Sequence, residues 1–200
     1  MSPASSARLL PGFRDPVFGS QAVFRALMSC VAYPGRIYTL DEPVCGPGML
    51  DPATTAACLC LVDSDTPLWL DPGAHSDEVR TYLQFHCGAP LTDDPSAACF
   101  AVAADAARLS DLSVFHPGDV EYPDRSTTLI VQVSSLTGGA ATTWSGPGIE
   151  ATRVARIEGL PAGFWSGWEF NRALYPLGLD VFFACGKEVV ALPRTIEVEI

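Results

Sequence analysis

The first apolar segment of the chain has helical spacing. Between Ser20 and Pro34-Gly35, large apolar side chains recur every three or four positions, at Val23, Phe24, Leu27, Met28 and Val31. This spacing places them on one face of a helix, which Ser20 could cap and Pro34-Gly35 would end. We therefore predict a helix that begins after Ser20 and stops before the proline.

Further segments carry helix signals of their own. Asp51-Pro52 is typical of a cap followed by a proline in the first turn, and the helix should run to about Val62. Ser76 precedes two acidic residues, which suit the positive end of a helix dipole, and that helix should end at Gly88. Two further helices are predicted: a short one over residues 105–112 and one rich in aromatic residues over 164–174.

Short runs rich in β-branched and aromatic residues predict strands between these helices. They cover residues 36–40, 68–70, 99–103, 127–133 and 140–144. The last two flank Gly138-Gly139, which predicts a hairpin between them. Near the C-terminus, runs 179–184 and 188–192 flank Gly186-Lys187, and glycine at the first of two turn positions suits a type II′ hairpin.

The alternation of helices and strands predicts an α/β fold, with helices packed against a sheet. The hairpins require antiparallel pairs, so we expect a mixed sheet. A chain of 200 residues fits one domain. We place that domain at residues 12–200, after a flexible tail of residues 1–11.

Composition and charge exclude several classes of protein. The hydrophobic content of 48% argues against disorder. No apolar run approaches the roughly 18 residues of a membrane helix, and residues 1–10 lack a signal-peptide pattern, so we expect a cytoplasmic protein. The net charge of −11 argues against nonspecific nucleic-acid binding, which needs a basic face. An anion pocket would need local arginines, or completion by another subunit.

The seven cysteines include no Cys-x-x-Cys pair, which argues against a zinc or thioredoxin-like site. We expect reduced, buried thiols and no bound metal. Cys87 directly follows His86, an order that could suggest a thiol protease, but neighbours in a helix do not face each other. A buried thiol is the favoured interpretation. His86 itself either occupies a helix end, where the dipole favours it, or donates into a pocket.

Two arginines are candidates for binding a phosphate or carboxylate, because a guanidinium offers paired donors. They are Arg25 on the first helix and Arg194 after the last strand; with His86 and Asp180 they form our set of candidate ligand-binding residues. The structural alternative is that each arginine is a salt-bridge partner and that Asp180 pairs with an arginine. Lys187 is the single lysine. A lysine in a turn is poorly placed to hold pyridoxal phosphate as a Schiff base, so we expect no such cofactor.

Short motifs follow one another in order from about Gly12 to Glu199. The most distinctive are Pro176-Leu177-Gly178-Leu179-Asp180 and Leu192-Pro193-Arg194-Thr195, around the terminal hairpin. The others are Gly12-Phe13-Arg14-Asp15-Pro16-Val17, residues 20–28, Asp65-Thr66-Pro67-Leu68-Trp69-Leu70, residues 85–91, residues 129–133 and Leu136-Thr137-Gly138-Gly139. In this order and spacing they resemble the PhnH family, subunits of the bacterial carbon–phosphorus lyase system. His86-Cys87-Gly88-Ala89-Pro90-Leu91 stands where that family has His-Thr-x-Ala-Pro-Leu.

The resemblance implies a three-layer α/β/α sandwich related to the large domain of pyridoxal-phosphate-dependent transferases, without the cofactor. It implies a homodimer that joins other carbon–phosphorus lyase core subunits. In that system an early reaction displaces adenine from ATP by methylphosphonate, giving α-D-ribose 1-methylphosphonate 5-triphosphate. The resemblance implies a contribution to this step, with ATP or phosphonate at a shared site and with the chemistry centred on a partner subunit.

Two functions compete at this point. The first is an assembly subunit; the second is a self-sufficient transferase or hydrolase with an Arg/His anion pocket. The segment Phe164-Trp165-Ser166-Gly167-Trp168 fits a protein interface, where Trp is enriched, and equally a core. A self-sufficient enzyme needs a nucleophile or base in a recognisable setting, and the sequence offers none, which favours the first function.

Overall fold

The computed structural model describes residues 9–42, 44–109 and 111–200. The α-helices within them are Pro16–Ala32 (α1), Pro52–Leu61 (α2), Asp77–Cys87 (α3) and Phe164–Ala173 (α4). The strands are Tyr38–Thr39 (β1), Leu68–Leu70 (β2), Leu91–Thr92 (β3), Phe100–Ala103 (β4), Thr128–Gln132 (β5), Thr142–Ser145 (β6), Arg153–Ala155 (β7), Asp180–Cys185 (β8), Glu188–Leu192 (β9) and Glu197–Glu199 (β10). Across these residues, no helix has both the length and the apolar character to cross a bilayer.

Seven strands form one mixed sheet in the order β1-β9-β8-β5-β4-β2-β3. The neighbours β3, β2, β4, β5 and β8 run parallel, whereas β9 is antiparallel to both β8 and β1. The predicted α/β fold with a mixed sheet is therefore confirmed. The remaining strands form a second, antiparallel sheet in the order β10-β6-β7.

Each face of the large sheet has its own core, because successive side chains of a strand point to opposite faces. Phe182 of β8 belongs to the core on one face, and its neighbours Val181 and Phe183 belong to the core on the other. Helices α1, α2 and α3 cover the first face. Helix α4 and the small sheet cover the second, through Trp168 and Trp144. The second covering layer thus combines a helix with a sheet, where a purely helical layer was expected.

Helix α1 begins at Pro16, so the prediction that Ser20 caps it is wrong. The cap is Asp15, whose Oδ1 accepts the backbone N–H groups of Val17 (3.0 Å) and Phe18 (3.1 Å). Pro16 suits the first helical position because its fixed φ matches the helix and its missing N–H would have no partner there. Ser20 lies inside the helix.

The predicted bounds of α2 and α3 are confirmed. Asp51 and Pro52 open α2, and the Ser76 hydroxyl caps α3 by accepting the Val79 N–H at 3.3 Å. Gly88 ends α3 with φ of 68°, a left-handed conformation that glycine adopts at little cost.

The predicted hairpin around Gly138-Gly139 is wrong. Strand β5 lies in the large sheet and β6 in the small one, so the two do not pair. Gly139 is instead needed where residues 134–139 pass close to another backbone segment. A β-carbon on Gly139 would lie 2.3 Å from the carbonyl oxygen of Ile157.

The predicted helix over 105–112 is also wrong for the residues of this range that the structure describes. Two single 3₁₀ turns, Ala106–Arg108 and Leu112–Val114, replace it. Asp105 and Asp111 each accept a backbone N–H two residues further on. Such local bonds compete with a continuous helix.

The terminal hairpin is confirmed. Strands β8 and β9 pair with Cys185 opposite Glu188, leaving Gly186 and Lys187 as the turn. Gly186 has φ of 58°, and among the described residues only glycines have positive φ, which fits a type II′ turn. Lys187 is exposed in this turn.

The proposed tail of residues 1–11 lies largely outside the described residues. Its last part, residues 9–11, lies against α3: the Tyr82 hydroxyl donates to the Pro11 carbonyl at 3.1 Å. The single domain at 12–200 stays a prediction.

Candidate functional site

Arg194 lies at the edge of the sheet where the parallel strands begin. It follows β9, whose last residue, Leu192, pairs with Val181 at the start of β8. Its backbone N–H donates to Asp180 Oδ1 at 2.8 Å, and its Nη2 lies 2.5 Å from Asp180 Oδ2. Asp180 therefore has the arginine partner that the structural interpretation expected.

The other donors of Arg194 hold the segment that leads into β5. Nη1 donates to the Pro123 carbonyl at 2.9 Å and Nη2 to the Ser126 hydroxyl at 2.5 Å. The Arg194 side chain is only 14% exposed. Of the five N–H groups of a guanidinium, one on Nη1 has no partner among the described residues. Arg194 thus connects the end of β9 with the start of β8 and with the segment before β5. One of its N–H groups remains available.

An open cavity of about 420 Å³ borders Arg194. It is lined by Pro147, Arg172, Tyr175, Arg194 and Thr195. Arg172, in the last turn of α4, pairs with Glu197 of β10 at 3.1 Å, and both side chains are about half exposed. An exposed pair of this kind is weak and can reorganise. Two guanidinium groups beside two hydroxyl-bearing side chains are suited to an anionic group such as phosphate or carboxylate.

His86 lies elsewhere, on α3. Its Nε2 donates to the Leu10 carbonyl at 2.9 Å, and its ring packs against Tyr82 and Phe85 at centroid distances of 4.4 and 5.0 Å. None of these contacts is shared with Arg194. In the structure, His86 fastens residues 9–11 to α3.

Arg25 is exposed on α1, and its guanidinium forms no ion pair with any residue that the structure describes. The structure brings Arg194 and Asp180 together but not His86 or Arg25. Ligand-binding roles for all four residues stay predictions.

The opposite edge of the sheet carries a closed polar network. Ligands of open α/β sheets usually bind there, beyond the carboxyl ends of the strands. Asp71 directly follows β2 and is 2% exposed. Its carboxylate accepts the backbone N–H groups of Ala74 (2.8 Å), Ala104 (3.2 Å) and Asp105 (3.3 Å).

Gln132, the last residue of β5, extends this network. Its Oε1 accepts the Asp51 N–H at 2.6 Å, and its Nε2 donates to the carbonyls of Met49 (3.0 Å) and Ala104 (3.3 Å). The hairpin turn covers the start of α2, because Gly186 N donates to Asp51 Oδ2 at 2.8 Å. The usual ligand position is therefore filled by the chain itself.

Comparison with known proteins decides the family. The family model described as bacterial phosphonate metabolism protein (PhnH) matches residues 11–199. The chain belongs to the PhnH family.

Two relatives show how far the similarity extends. One, from Rhizobium meliloti (strain 1021), is named alpha-D-ribose 1-methylphosphonate 5-triphosphate synthase subunit PhnH; it is 41% identical over 187 residues, 94% of each chain. The other, from Stutzerimonas stutzeri, is named putative C-P lyase subunit protein HtxG; it is 31% identical over 182 residues, 90% of this chain and 86% of the relative.

The most buried thiols of this PhnH-family chain are not activated, whereas Cys45 is exposed and so departs from the expected burial. Burial raises the pKa of Cys87 to about 11, with the nearby Asp63 charge as a second cause, and raises the pKa of Cys30 to about 12. The fully buried Cys58 has a pKa raised further by the same desolvation. Because the thiolate is the nucleophilic form, these side chains are inert near neutral pH. No group of three metal-ligating side chains occurs within the described ranges.

Sequence reasoning missed Arg172, Asp71 and Gln132. Asp71 had a usable signal, since a polar residue directly after the buried run Leu68-Trp69-Leu70 marks a strand's carboxyl end. Gln132 had a weaker signal of the same kind. Arg172 had none, because its partner Glu197 lies on β10, a strand of three residues that the pattern did not predict.

Proposed function

We propose that this chain is a subunit of the carbon–phosphorus lyase core complex in organic phosphonate catabolism. It contributes to formation of α-D-ribose 1-methylphosphonate 5-triphosphate from ATP and methylphosphonate. The observation that carries the proposal is the match over 94% of the chain to a protein named as a subunit of the synthase for this compound.

The chemistry of this step is centred on a partner subunit. The reaction breaks the bond between adenine and the ribose of ATP and forms a bond from that carbon to a phosphonate oxygen. A catalyst must stabilise the ribose as it becomes electron-poor and protonate the departing base. The described residues favour a partner subunit as the source of these catalytic groups, since burial raises the pKa of Cys87 and His86 Nε2 donates to a backbone carbonyl.

The contribution of this chain to ligand binding lies at the cavity beside Arg194 and Arg172. A triphosphate needs concentrated positive charge, but here Asp180 and Glu197 partly neutralise both arginines. The net charge of −11 adds a general repulsion. The cavity therefore suits one edge of a shared site, which another subunit completes.

We further propose that the chain forms a homodimer within the complex and functions in the cytoplasm. Its fold is proposed to be related to the large domain of pyridoxal-phosphate-dependent transferases. The cofactor does not follow from that kinship, because Lys187 is exposed in the hairpin turn and a Schiff base needs a lysine held over the cofactor. The alternative of a self-sufficient transferase or hydrolase has no support from the two relatives, since each is named as a subunit.

Deletion of the gene in its own bacterium tests the proposal. Growth on methylphosphonate as the only phosphorus source should be lost and then restored by the wild-type gene. Growth on inorganic phosphate is the matched control and should not change. Undiminished growth on methylphosphonate in the deletion strain would contradict the proposed function.

A further inference from the structure

Helix α1 has a second apolar face that is partly exposed to solvent. Its inner face packs into the core through Val23, Leu27 and Cys30. On the outer face, Val17, Phe24, Met28 and Val31 are 74, 47, 41 and 38% exposed. A contiguous apolar surface of this kind is typical of a protein interface.

The outer face has the spacing of a coiled-coil seam. Val17, Gln21, Phe24, Met28 and Val31 are separated alternately by four and three positions. This repeat of 3.5 residues keeps them along one line of the helix, where they can act as knobs for the holes of an opposing helix. The spacing therefore favours a helix as the partner element, rather than a strand edge.

The exposed apolar area of this face is comparable to the apolar part of a standard protein–protein interface. Phe18, which is 70% exposed, borders the seam. With about 200 Å² for a fully exposed large side chain, the apolar residues of the face present about 500 Å². A standard interface takes about 800 Å² from each partner, a little over half of it apolar. The face is large enough to form the apolar part of one such interface.

The charge of Arg25 indicates which kind of helix would fit this face. Arg25 is the one charged residue of α1 and lies within one turn of Gln21 and Met28. A second copy of α1 would bring another arginine and no carboxylate, because α1 contains no acidic residue. A helix of a different chain, with an acidic residue beside its apolar line, would pair with Arg25 instead.

We propose that the outer face of α1 docks an amphipathic helix of another subunit of the same assembly, with an acidic residue of that helix opposite Arg25. This inference rests on the proposed function, from which it takes the partner's class. It assigns to Arg25 a role in assembly, where the sequence suggested ligand binding.

The test measures binding between this chain and the purified remaining subunits of the synthase. Phe24→Glu and Met28→Glu should each weaken binding by about 30-fold or more, the range of an interface hot spot. Val120→Glu is the matched control, because Val120 is 86% exposed but lies in a loop away from α1, and it should change binding less than about 3-fold.

Three further experiments distinguish docking from a general loss of structure. Phe24→Ser introduces no charge and should still weaken binding, while its thermal unfolding stays close to wild type. Arg25→Glu should weaken binding by about 10-fold, less than the seam variants, because a rim charge contributes less than a buried anchor. In the wild type, amide hydrogen exchange along α1 should slow when the complex forms.

The outcomes distinguish this inference from the proposed function. If the wild-type chain binds none of the other subunits, the proposed function fails and the docking face with it. If the wild type binds and Phe24→Glu binds equally well, the docking face is wrong and the proposed function stands. If Phe24→Glu dissociates a homodimer but keeps its affinity for the other subunits, the occupant is a second copy, which also overturns the inference.

Discussion

The two edges of the seven-stranded sheet use their polar side chains differently. At the carboxyl edge, Asp71 and Gln132 are nearly inaccessible, and their side chains bond to backbone groups of the chain itself. At the amino edge, Arg194 is also bonded within the chain, but it borders an open cavity with Arg172.

This difference shows that the position of a site cannot be read from the fold class alone. Open α/β sheets usually bind ligands beyond the carboxyl ends of their strands. Here the loop before α2 and the terminal hairpin fill that position, so the side chains there stabilise the fold. We propose that ligand contacts of this chain lie at the amino edge, where Arg172 and Arg194 border an open cavity.

The largest expected effect on stability is at the carboxyl edge. Asp71→Ala removes a carboxylate that accepts three backbone N–H groups. The N–H groups of Ala104 and Asp105 lose their partner, whereas that of Ala74 keeps the backbone carbonyl of residue 71. We expect the free energy of unfolding to fall by about 3 kcal/mol. Urea denaturation measures it. Asp93→Ala is the control, since Asp93 is exposed, and should cost less than about 0.5 kcal/mol. If the two substitutions lowered the free energy of unfolding equally, the Asp71 carboxylate would have no special role in stability.

A smaller loss is expected at the amino edge. Arg194→Gln removes the side-chain contacts with Asp180, Pro123 and Ser126, and we expect the free energy of unfolding to fall by about 2 kcal/mol. Repeating the substitution in an Asp180→Asn background should cost distinctly less, because the ion pair is already gone. Fully additive losses would mean that the two side chains are not coupled.

Gly186 lies in the hairpin turn that closes the carboxyl edge. Gly186→Ala should lower the free energy of unfolding by about 1 kcal/mol. The reason is backbone strain alone, because φ is 58° at Gly186 and a β-carbon there would meet nothing within 4 Å. Gly163 is the matched control: a β-carbon there would also meet nothing within 4 Å, but its φ is −86°. Gly163→Ala should therefore not lower the melting temperature. Equal melting temperatures for the two variants would show that the turn is not strained.

The smallest effect on stability is expected for Arg172→Gln, below about 0.5 kcal/mol, because its pair with Glu197 is exposed. In the complete assembly, the same variant should raise the KM for ATP or methylphosphonate by about 10-fold, through loss of one charge-assisted contact. Arg108→Gln is the matched control, since Arg108 forms a similar exposed pair with Asp105 at 3.0 Å. Equal KM values for the two variants would exclude the cavity from the ligand site.

Local signals explain which elements could be predicted from the sequence. Helix α3 was predictable because its cap, Ser76, and its terminating Gly88 both lie within the segment itself. The terminal hairpin was predictable for the same reason, since Gly186 and the two apolar runs are adjacent in sequence. Each of these features needs no information from distant residues.

Features that depend on distant partners could not be predicted. Strand β10 has three residues, and it exists because Glu197, Val198 and Glu199 pair with β6, more than fifty positions earlier. Gly139 looked like a turn residue, although its role is to let one backbone pass close to Ile157. In the candidate site, the pairing of Asp180 with an arginine was predicted, whereas the cavity required the end of α4 and the segments after β6 and β9 to meet in space.

Adenine release from ATP and methylphosphonate tests the role of this chain most directly. We predict no release by the purified chain alone, release by the complete set of subunits, and loss of release when this chain alone is omitted. Release at the full rate without the chain, or release by the chain on its own, would contradict its role as a required, non-autonomous subunit.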